Sequence, residues 1–567
     1  MGEYPGLFIF IFICCRMHRS WLLLFIVTAV LSCKKGSPSS PVPPAQHLTI
    51  TSFQINGISA ATYTGITINP IIRIAFSVPV DPSSVTGNIT LNDGAGAAVA
   101  ITTSLSNHDS ALIIQPASSL QYLKKYILSV FTGLQSSGQV ALSDKLVQPF
   151  MTALDSTDKF PLLSDSALLT LVQQQTFKYF WDFGHPVSGM TRERATSGDV
   201  VTTGGTGFGI MAMLAGIERS FISRSDGLAR IEKIVTFLTS NAQHYHGAFP
   251  HWINGSTGAT IPFSTQDDGG DLVETAYLMQ GLLCARQYFN QANTDETNLR
   301  TNINSLWNEV DWTWYRQNNQ NTLYWHWSPD YNWSTNQQIS GWNEALITYV
   351  LAASAPTDSI PKIVYDNGWA LNGAMKNNKT FYGIQLPLGP DRGGPLFFAH
   401  YSFLGINPNG LSDAYANYWT QDTAHARINY LYCVSNPNNY YGYSSLCWGL
   451  TASDEQNGYS AHSPTNDDGV ISPTAAIASL PYTPTESMNA LRFFYYKLGD
   501  KIWGQYGFVD AFNLTNSWFD NDFLAIDQGP EIVMIENYRS GLLWNLFMSC
   551  PEIKTGMKKL GFQGPNL

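Results

Sequence analysis

The repeat distance of the apolar residues changes once along the chain, and that change limits the fold more than any motif does. From His47 to Asp155 the repeat is two, as in HLTITSFQING, IIRIAFSVPVD, NITLND, AAVAITTSL, SALIIQPAS and KYILSVFTGL, with turn residues every eight to twelve positions. Alternating β-branched residues between Gly, Asn, Asp and Pro predict a small antiparallel β-sandwich over 47–155. From Phe160 the repeat becomes helical, in SALLTLVQQQTFKYFWDF, GFGIMAMLAGIERSF, LARIEKIVTFLTSNA, DLVETAYLMQGLLCARQYF, NLRTNINSLWNEVDW, GWNEALITYVLAAS and several later segments. About ten to twelve helices are expected in roughly 400 residues, joined by long loops rich in Gly, Asn and Trp. Helices apolar on two sides, alternating with long loops, predict a mainly α domain over 156–567. Its expected architecture is an (α/α)6 barrel whose loops gather into a cleft at one end.

The first residues carry a different message. Arg16 and Arg19 precede WLLLFIVTAVL, a run short for a membrane span, and Val30-Leu31-Ser32-Cys33 follows as a lipobox. Residues 1–32 are therefore expected to be a signal peptide, with Cys33 lipidated; an uncleaved anchor is the alternative. Met17 is a second candidate start. KKGSPSSPVPPAQ, within 33–46, reads as a Pro/Ser linker that holds the folded part off a membrane. The expectation is an exported lipoprotein on the periplasmic or cell-surface side of a Gram-negative envelope.

Charged residues make up only 13% of the chain, aromatics also 13%, and the formal net charge is −11 with no basic run. That balance excludes a phosphate-tracking nucleic-acid binder and suits a neutral polar ligand such as a sugar. The four cysteines after the linker, Cys284, Cys433, Cys447 and Cys550, match no metal spacing. GxSxG, HExxH and P-loop motifs are absent, and GTGFGIMAMLAG follows no predicted strand. No cofactor or metal is expected, and the chain is expected to be a monomer.

Against this low charge, DDGGDLVETAYLMQGLL places Asp267, Asp268, Asp271 and Glu274 within eight residues at the mouth of a helix. Asp271 and Glu274 read as a capping box, but also as two carboxylates on one helix face. The helix dipole favours their ionised form, while burial and mutual repulsion favour the protonated one. GWNEAL repeats the design with Trp342 and Glu344, after the ring-rich YWHWSPDYNWS that holds Trp325, Trp327 and Tyr331. Sugar faces stack on such rings, and Trp252 joins them as a candidate. GLTASDEQNGYSAHSPTNDDG supplies Asp454 as a catalytic or sugar-binding carboxylate; the DxDxDG order of a calcium loop is absent from it. Asp510, Asp527, Glu531 and Glu536 lie near another helix start. Arg192, Arg194, Arg392 and His400 are candidate donors to hydroxyls or carboxylates. Carboxylates beside aromatics are the equipment of glycoside hydrolysis.

At DDGGDLVETAYLMQGLL, GWNEALI, GPLFFAHYSFLG, GLTASD, GFVDAFN and QGPEIVMIENYRSGLLW the chain resembles glycoside hydrolase family 144, the glucoamylase-like endo-β-1,2-glucanases of the Bacteroidetes. The resemblance runs from about Phe160 to the C-terminus; ahead of it, IRIAFSVPVDPSSV and the later LQYLKKYILSV resemble bacterial Ig-like domains, which implies an Ig-like β-sandwich over 47–155. The glycoside hydrolase resemblance implies an (α/α)6 barrel, internal hydrolysis of β-1,2-glucan to sophoro-oligosaccharides with inversion, and essential acids at Asp271, Glu274 and Glu344. On the residues themselves, Glu274 or Glu344 is the candidate general acid and Asp271 or Asp454 the candidate base. Two other readings stay open: a hydrolase of another glucan, α-linked ones included, and a non-catalytic surface glycan-binding lipoprotein.

Overall fold

The structure, a computed structural model, describes residues 47–567. The expected signal peptide, the lipidation site Cys33 and the linker lie outside the described residues. Among the described residues no helix is long and apolar enough to cross a membrane.

Eight strands build the N-terminal sandwich: β1 (Ile50–Ile55), β2 (Ile72–Phe76), β3 (Ile89–Asp93), β4 (Ala98–Val99), β5 (Ile101–Ser106), β6 (Ala111–Pro116), β7 (Lys125–Val130) and β8 (Leu146–Met151). They form two four-stranded antiparallel sheets, ordered β1-β2-β6-β5 and β4-β3-β7-β8. The period-two pattern appears directly as burial: Ile72, Ile74 and Phe76 are buried, while Arg73 and Ala75 between them are less so. Leu112, Ile114, Leu128 and Val130 close the core from the other strands. The sandwich is tied to the helical part through the Leu154 amide, which donates to Tyr441 Oη at 2.9 Å.

The helical part alternates between two rings. The outer segments are α1 (Asp165–Trp181), α3 (Arg224–Ser240), α5 (Thr294–Glu309), α7 (Lys362–Val364) with the turn that continues it, α8 (Tyr418–Ser435) and α10 (Pro484–Ile502). The inner helices are α2 (Thr203–Glu218), α4 (Leu272–Tyr288), α6 (Leu346–Ser354), α9 (Pro473–Ala478) and α11 (Ala525–Ser540). The inner helices are walled in on every side: every residue from Thr203 to Gly216, and from Leu272 to Ala285, is buried, mostly apolar side chains with a few polar ones at the mouth and between helices. Glycine brings α2 and α4 together, since a Cβ on Gly207 would lie 2.1 Å from Tyr277 O. Helices α12 (Leu542–Ser549) and α13 (Pro551–Leu560) end the chain. The result is an (α/α)6 barrel.

Two details depart from the helical pattern of the sequence. The sixth inner position is filled by two 3-10 turns, Leu396–Ala399 and Ser402–Leu404, held by Gln280 Nε2 donating to Tyr401 O at 3.1 Å and by Tyr482 Oη donating to Ala399 O. GWNE does not open α6 but forms a turn ahead of it, in which Asn343 Oδ1 accepts from the Ala345 amide. Glu344 thus stands before the helix rather than in its first turn.

Candidate active site

The inner helices α2 and α4 present their N-termini at the same end of the barrel, and the acids converge there. Asp271 is the N-cap of α4: its Oδ1 accepts from the amides of Val273 and Glu274, both at 2.9 Å. Glu274, one turn on, turns sideways instead of capping back. Its Oε2 accepts from the Gly204 amide at 2.7 Å and from Thr202 Oγ1 at 3.3 Å, so it closes the start of α2. Only glycine fits there, because a Cβ at position 204 would sit 2.6 Å from that oxygen.

Two histidines complete the cluster. The segment Gly270–Asp271 pairs antiparallel with His326–Trp327, which sets His326 opposite Asp271. His326 Nε2 lies 3.1 Å from Asp267 Oδ2 and 3.5 Å from Asp271 Oδ2. His251 comes from a segment that leads into the strand pairing with the start of α2, and its Nδ1 lies 3.0 Å from Asp271 Oδ2. Burial opposes charge on all three side chains. For His251 the field of Glu274 and the bond to Asp271 outweigh it and lift the imidazole to about 9. For His326 the bonds to Asp267 and Asp271 lift it to about 10. Asp271, fully buried, is held below the usual carboxylate range by the bonds from both rings.

What remains is an excess of negative charge, and it falls on the two glutamates. Burial raises Glu274, helped by the charge of Asp271 and opposed by that of His251. Burial raises Glu344 to about 7, with the fields of Glu274 and Asp271 adding to the shift. Among the described residues no other group donates to the Glu344 carboxyl; only its own amide does. Tyr277 Oη, buried and without a partner among the described residues, feels both glutamates.

A second cluster adjoins the first across Tyr401, whose hydroxyl feels both Asp527 and Glu344. Here Arg194 is the hub: Nη1 donates to Asp454 at 2.8 Å, Nε to Glu193 at 3.0 Å, and Asp522 lies 3.9 Å away. The Asp454 amide donates to Asp510 Oδ2 at 2.7 Å. Burial raises Asp527 to about 7, Glu531 to about 8 and Asp520 to about 6, and it also raises Asp510.

The other sequence candidates are distributed unevenly. Asp268 and Trp252 flank the first cluster; Trp252 packs edge-on against His251 and at a tilt against Phe263, which is half exposed. Trp325 stacks beside His326, while Trp327 turns the other way, into His246 and Trp314. Tyr331 is exposed on the same loop. Trp342 is buried between Phe403 and Tyr418. Arg192 directs its guanidinium to the carbonyls of Phe183 and Gly198. Arg392 donates to Pro464 O and lies over Tyr432. His400 is 2% exposed with Nε2 on Ser479, and burial drives it down to about 3, so it is a neutral interior ring. Glu536 pairs with Arg219 at the C-terminal end of α2, away from the mouth. Sequence reasoning assigned no role to His251, His326, Tyr277, Glu193, Asp520 or Asp522. Trp252 and YWHW stood beside the two histidines, but no spacing rule links either ring to Asp271.

Comparison with known proteins agrees with this fold. A glucoamylase family model matches residues 336–551, and a bacterial Ig-like domain model matches residues 50–152. An exo-β-1,2-glucooligosaccharide sophorohydrolase (non-reducing end) of Parabacteroides distasonis is 47% identical over 427 residues, 71% of this chain. The match spans 59% of that enzyme's length. The endo-β-1,2-glucanase of Chitinophaga pinensis, solved with sophorotriose and glucose, is 52% identical with a TM-score of 0.70; the match covers 72% of this chain and all of that one. A β-1,2-glucanase structure from Parabacteroides distasonis is 38% identical with a TM-score of 0.69, over 91% of this chain and 74% of that one. With the barrel matched end to end and the acids converging at its mouth, the chain belongs to glycoside hydrolase family 144, the glucoamylase-like family, and carries a bacterial Ig-like domain ahead of the barrel.

Proposed function

We propose that this protein hydrolyses β-1,2-glucan, cutting within the chain and inverting the anomeric carbon, with Glu344 as the general acid. The observation that carries the assignment is the state of Glu344. Its pKa of about 7 keeps much of the carboxyl protonated near neutral pH, as an acid that must give a proton to a leaving oxygen requires. Glu274 is tied to Gly204 and Thr202, and Asp271 has both oxygens engaged by two amides and two imidazoles, so neither is free to take a water's proton. That function falls to the Arg194 cluster, with Asp454, kept in reach by the guanidinium, as the base. Inversion needs about 6.5–9.5 Å between the two carboxyls to seat the water. Two loops can span that; one helix turn cannot.

Glu344→Gln keeps the shape and removes the proton. It is expected to lower kcat on β-1,2-glucan by about 10²–10⁴-fold with the circular dichroism spectrum unchanged; near-normal turnover removes Glu344 from the mechanism. Release of sophorose from the non-reducing end is the second reading, favoured by the exo-acting Parabacteroides relative. Product lengths in the first minutes separate the two. Internal cutting yields a spread of oligosaccharides and a rapid loss of viscosity, whereas end-wise cutting yields sophorose from the outset. Products from starch alone would discard the substrate assignment.

A further inference from the structure

The hairpin formed by Ala452–Glu455 and Gly458–Ala461 carries Asp454 into the acid cluster, and its other face holds a group that the proposed mechanism does not use. Successive strand residues point to opposite faces. Asp454 therefore meets Arg194, while Glu455 turns toward His462, just past the hairpin. The His462 side chain is fully buried, and neither ring nitrogen has a hydrogen-bond partner among the described residues. A buried polar ring left without partners carries its full desolvation penalty. Nε2 lies 3.8 Å from Glu455 Oε2, too far for a hydrogen bond. One oxygen of Asp468 joins them, so that three potential ligand atoms from Glu455, His462 and Asp468 all lie within 4.8 Å of one another.

The counter-charges make this place unusual. Two other triplets of the same kind exist among the described residues, His251/Asp267/Asp271 and Asp454/Asp510/Asp520. Each already has a cation built in, His326 for the first and Arg194 for the second. Glu455 and Asp468 have no lysine or arginine within ion-pair distance among the described residues. The neighbouring Arg392 is engaged by Pro464 and Tyr432. Asp467 is held by the hydroxyls of Tyr432 and Tyr443 and by the Gly469 amide, which leaves Asp468 as the carboxylate of that turn without a partner among the described residues.

We propose that Glu455, His462 and Asp468 bind one divalent transition cation of the zinc class, which clamps the hairpin to the loop 462–469 and so steadies Asp454 on the opposite face. Two carboxylates and one imidazole balance the charge of such an ion and suit it better than calcium, which takes all-oxygen sets. Zinc ligands sit about 2.0–2.2 Å from the metal and hence roughly 3.3–3.6 Å apart in a tetrahedron. Binding therefore draws the three ligand atoms in from their present spacing, within 4.8 Å of one another, with water as the fourth ligand. Glu455, about a quarter exposed, and the exposed Asp468 leave an entry path. This departs from the metal-free expectation of the sequence, which rested on cysteine spacing, the HExxH motif and the calcium-loop pattern, none of which describes these three residues.

The test is calorimetric titration of ZnCl2 into the chelator-treated full chain, with thermal unfolding in parallel. One equivalent is expected to bind and to raise Tm. Affinity should fall at least tenfold in Glu455→Gln and in His462→Gln and stay within threefold in Asp267→Asn and Asp454→Asn. Glu455→Gln alters a partly exposed side chain, so it decides the matter even if His462→Gln fails to fold. The proposal is overturned by the absence of saturable binding, by wild-type affinity in Glu455→Gln, by loss of binding in Asp267→Asn or Asp454→Asn instead, or by saturation with CaCl2 but not ZnCl2.

Discussion

Around Asp271, four carboxyls share their space with two imidazoles; around Arg194, a larger group of carboxyls shares one guanidinium. Both clusters are buried at the same end of the barrel, yet they settle their charge differently. Near Asp271 the cations are close and well placed, so Asp271 stays ionised and both histidines are held protonated. Near Asp527 and Glu531 the cation is remote, and burial pushes both carboxyls to the neutral side. An acid cluster therefore has no protonation state of its own: the nearest cation decides it, and protons fill what cations leave over. Glu344 sits between the two regimes, beside the ionised cluster but without a cation of its own, and that gives it an acid's pKa.

The sharpest way to break this comparison is kinetic. If Glu344 is the acid, kcat falls with rising pH through about 7, by tenfold per unit beyond it, and a profile flat to pH 9 would show that no such group is used. Next in size is Asp271→Asn, which keeps the helix cap but removes the anion between two imidazoles. Breaking a buried pair costs about 3–5 kcal/mol, measurable by urea unfolding; a loss below about 1 kcal/mol, the range of an exposed pair, would mean the triad does not hold the mouth together.

Glu531→Gln probes the other regime. The folded state raises Glu531 from 4.5 to about 8, so the wild type's advantage from the neutral carboxyl is complete below pH 4.5 and is lost as pH rises through 8. The glutamine variant has nothing to lose over that window. Its Tm relative to wild type should grow across it, to a gain of roughly 3–6 °C at pH 8; a constant difference would mean that Glu531 is ionised throughout. The smallest expected effect belongs to Thr176→Val. Thr176 Oγ1 donates to Glu531 Oε2 at 2.8 Å, and its loss should cost about 1 kcal/mol, more at pH 8 than at pH 5.

Parts of this site were legible before the structure because they are local. Asp271 and Glu274 announce a helix start through i, i+3 spacing, and Glu344 precedes an apolar run that must be buried. The broad architecture was legible for the same reason, since a period of two and a period near 3.6 are properties of neighbouring residues. The reading stopped where contacts join distant segments. Glu274 looked like half of a capping box, but its carboxylate caps α2, seventy residues earlier in the chain. Trp342 and Trp325 looked alike as ring candidates, yet one is buried in the core and the other lies beside His326. The sixth inner position carries no helical repeat, because two 3-10 turns pinned by a side chain of α4 and by Tyr482 fill it.

The sequence by itself determined where strands end and helices begin, which faces are buried, and which acids stand at helix mouths, because hydrophobic periodicity and capping act over a few residues. Only the tertiary structure decided which acids keep their protons. That depends on His251, His326 and Arg194 arriving from segments 20 to 260 residues away, and electrostatic energy follows distance in space rather than along the chain.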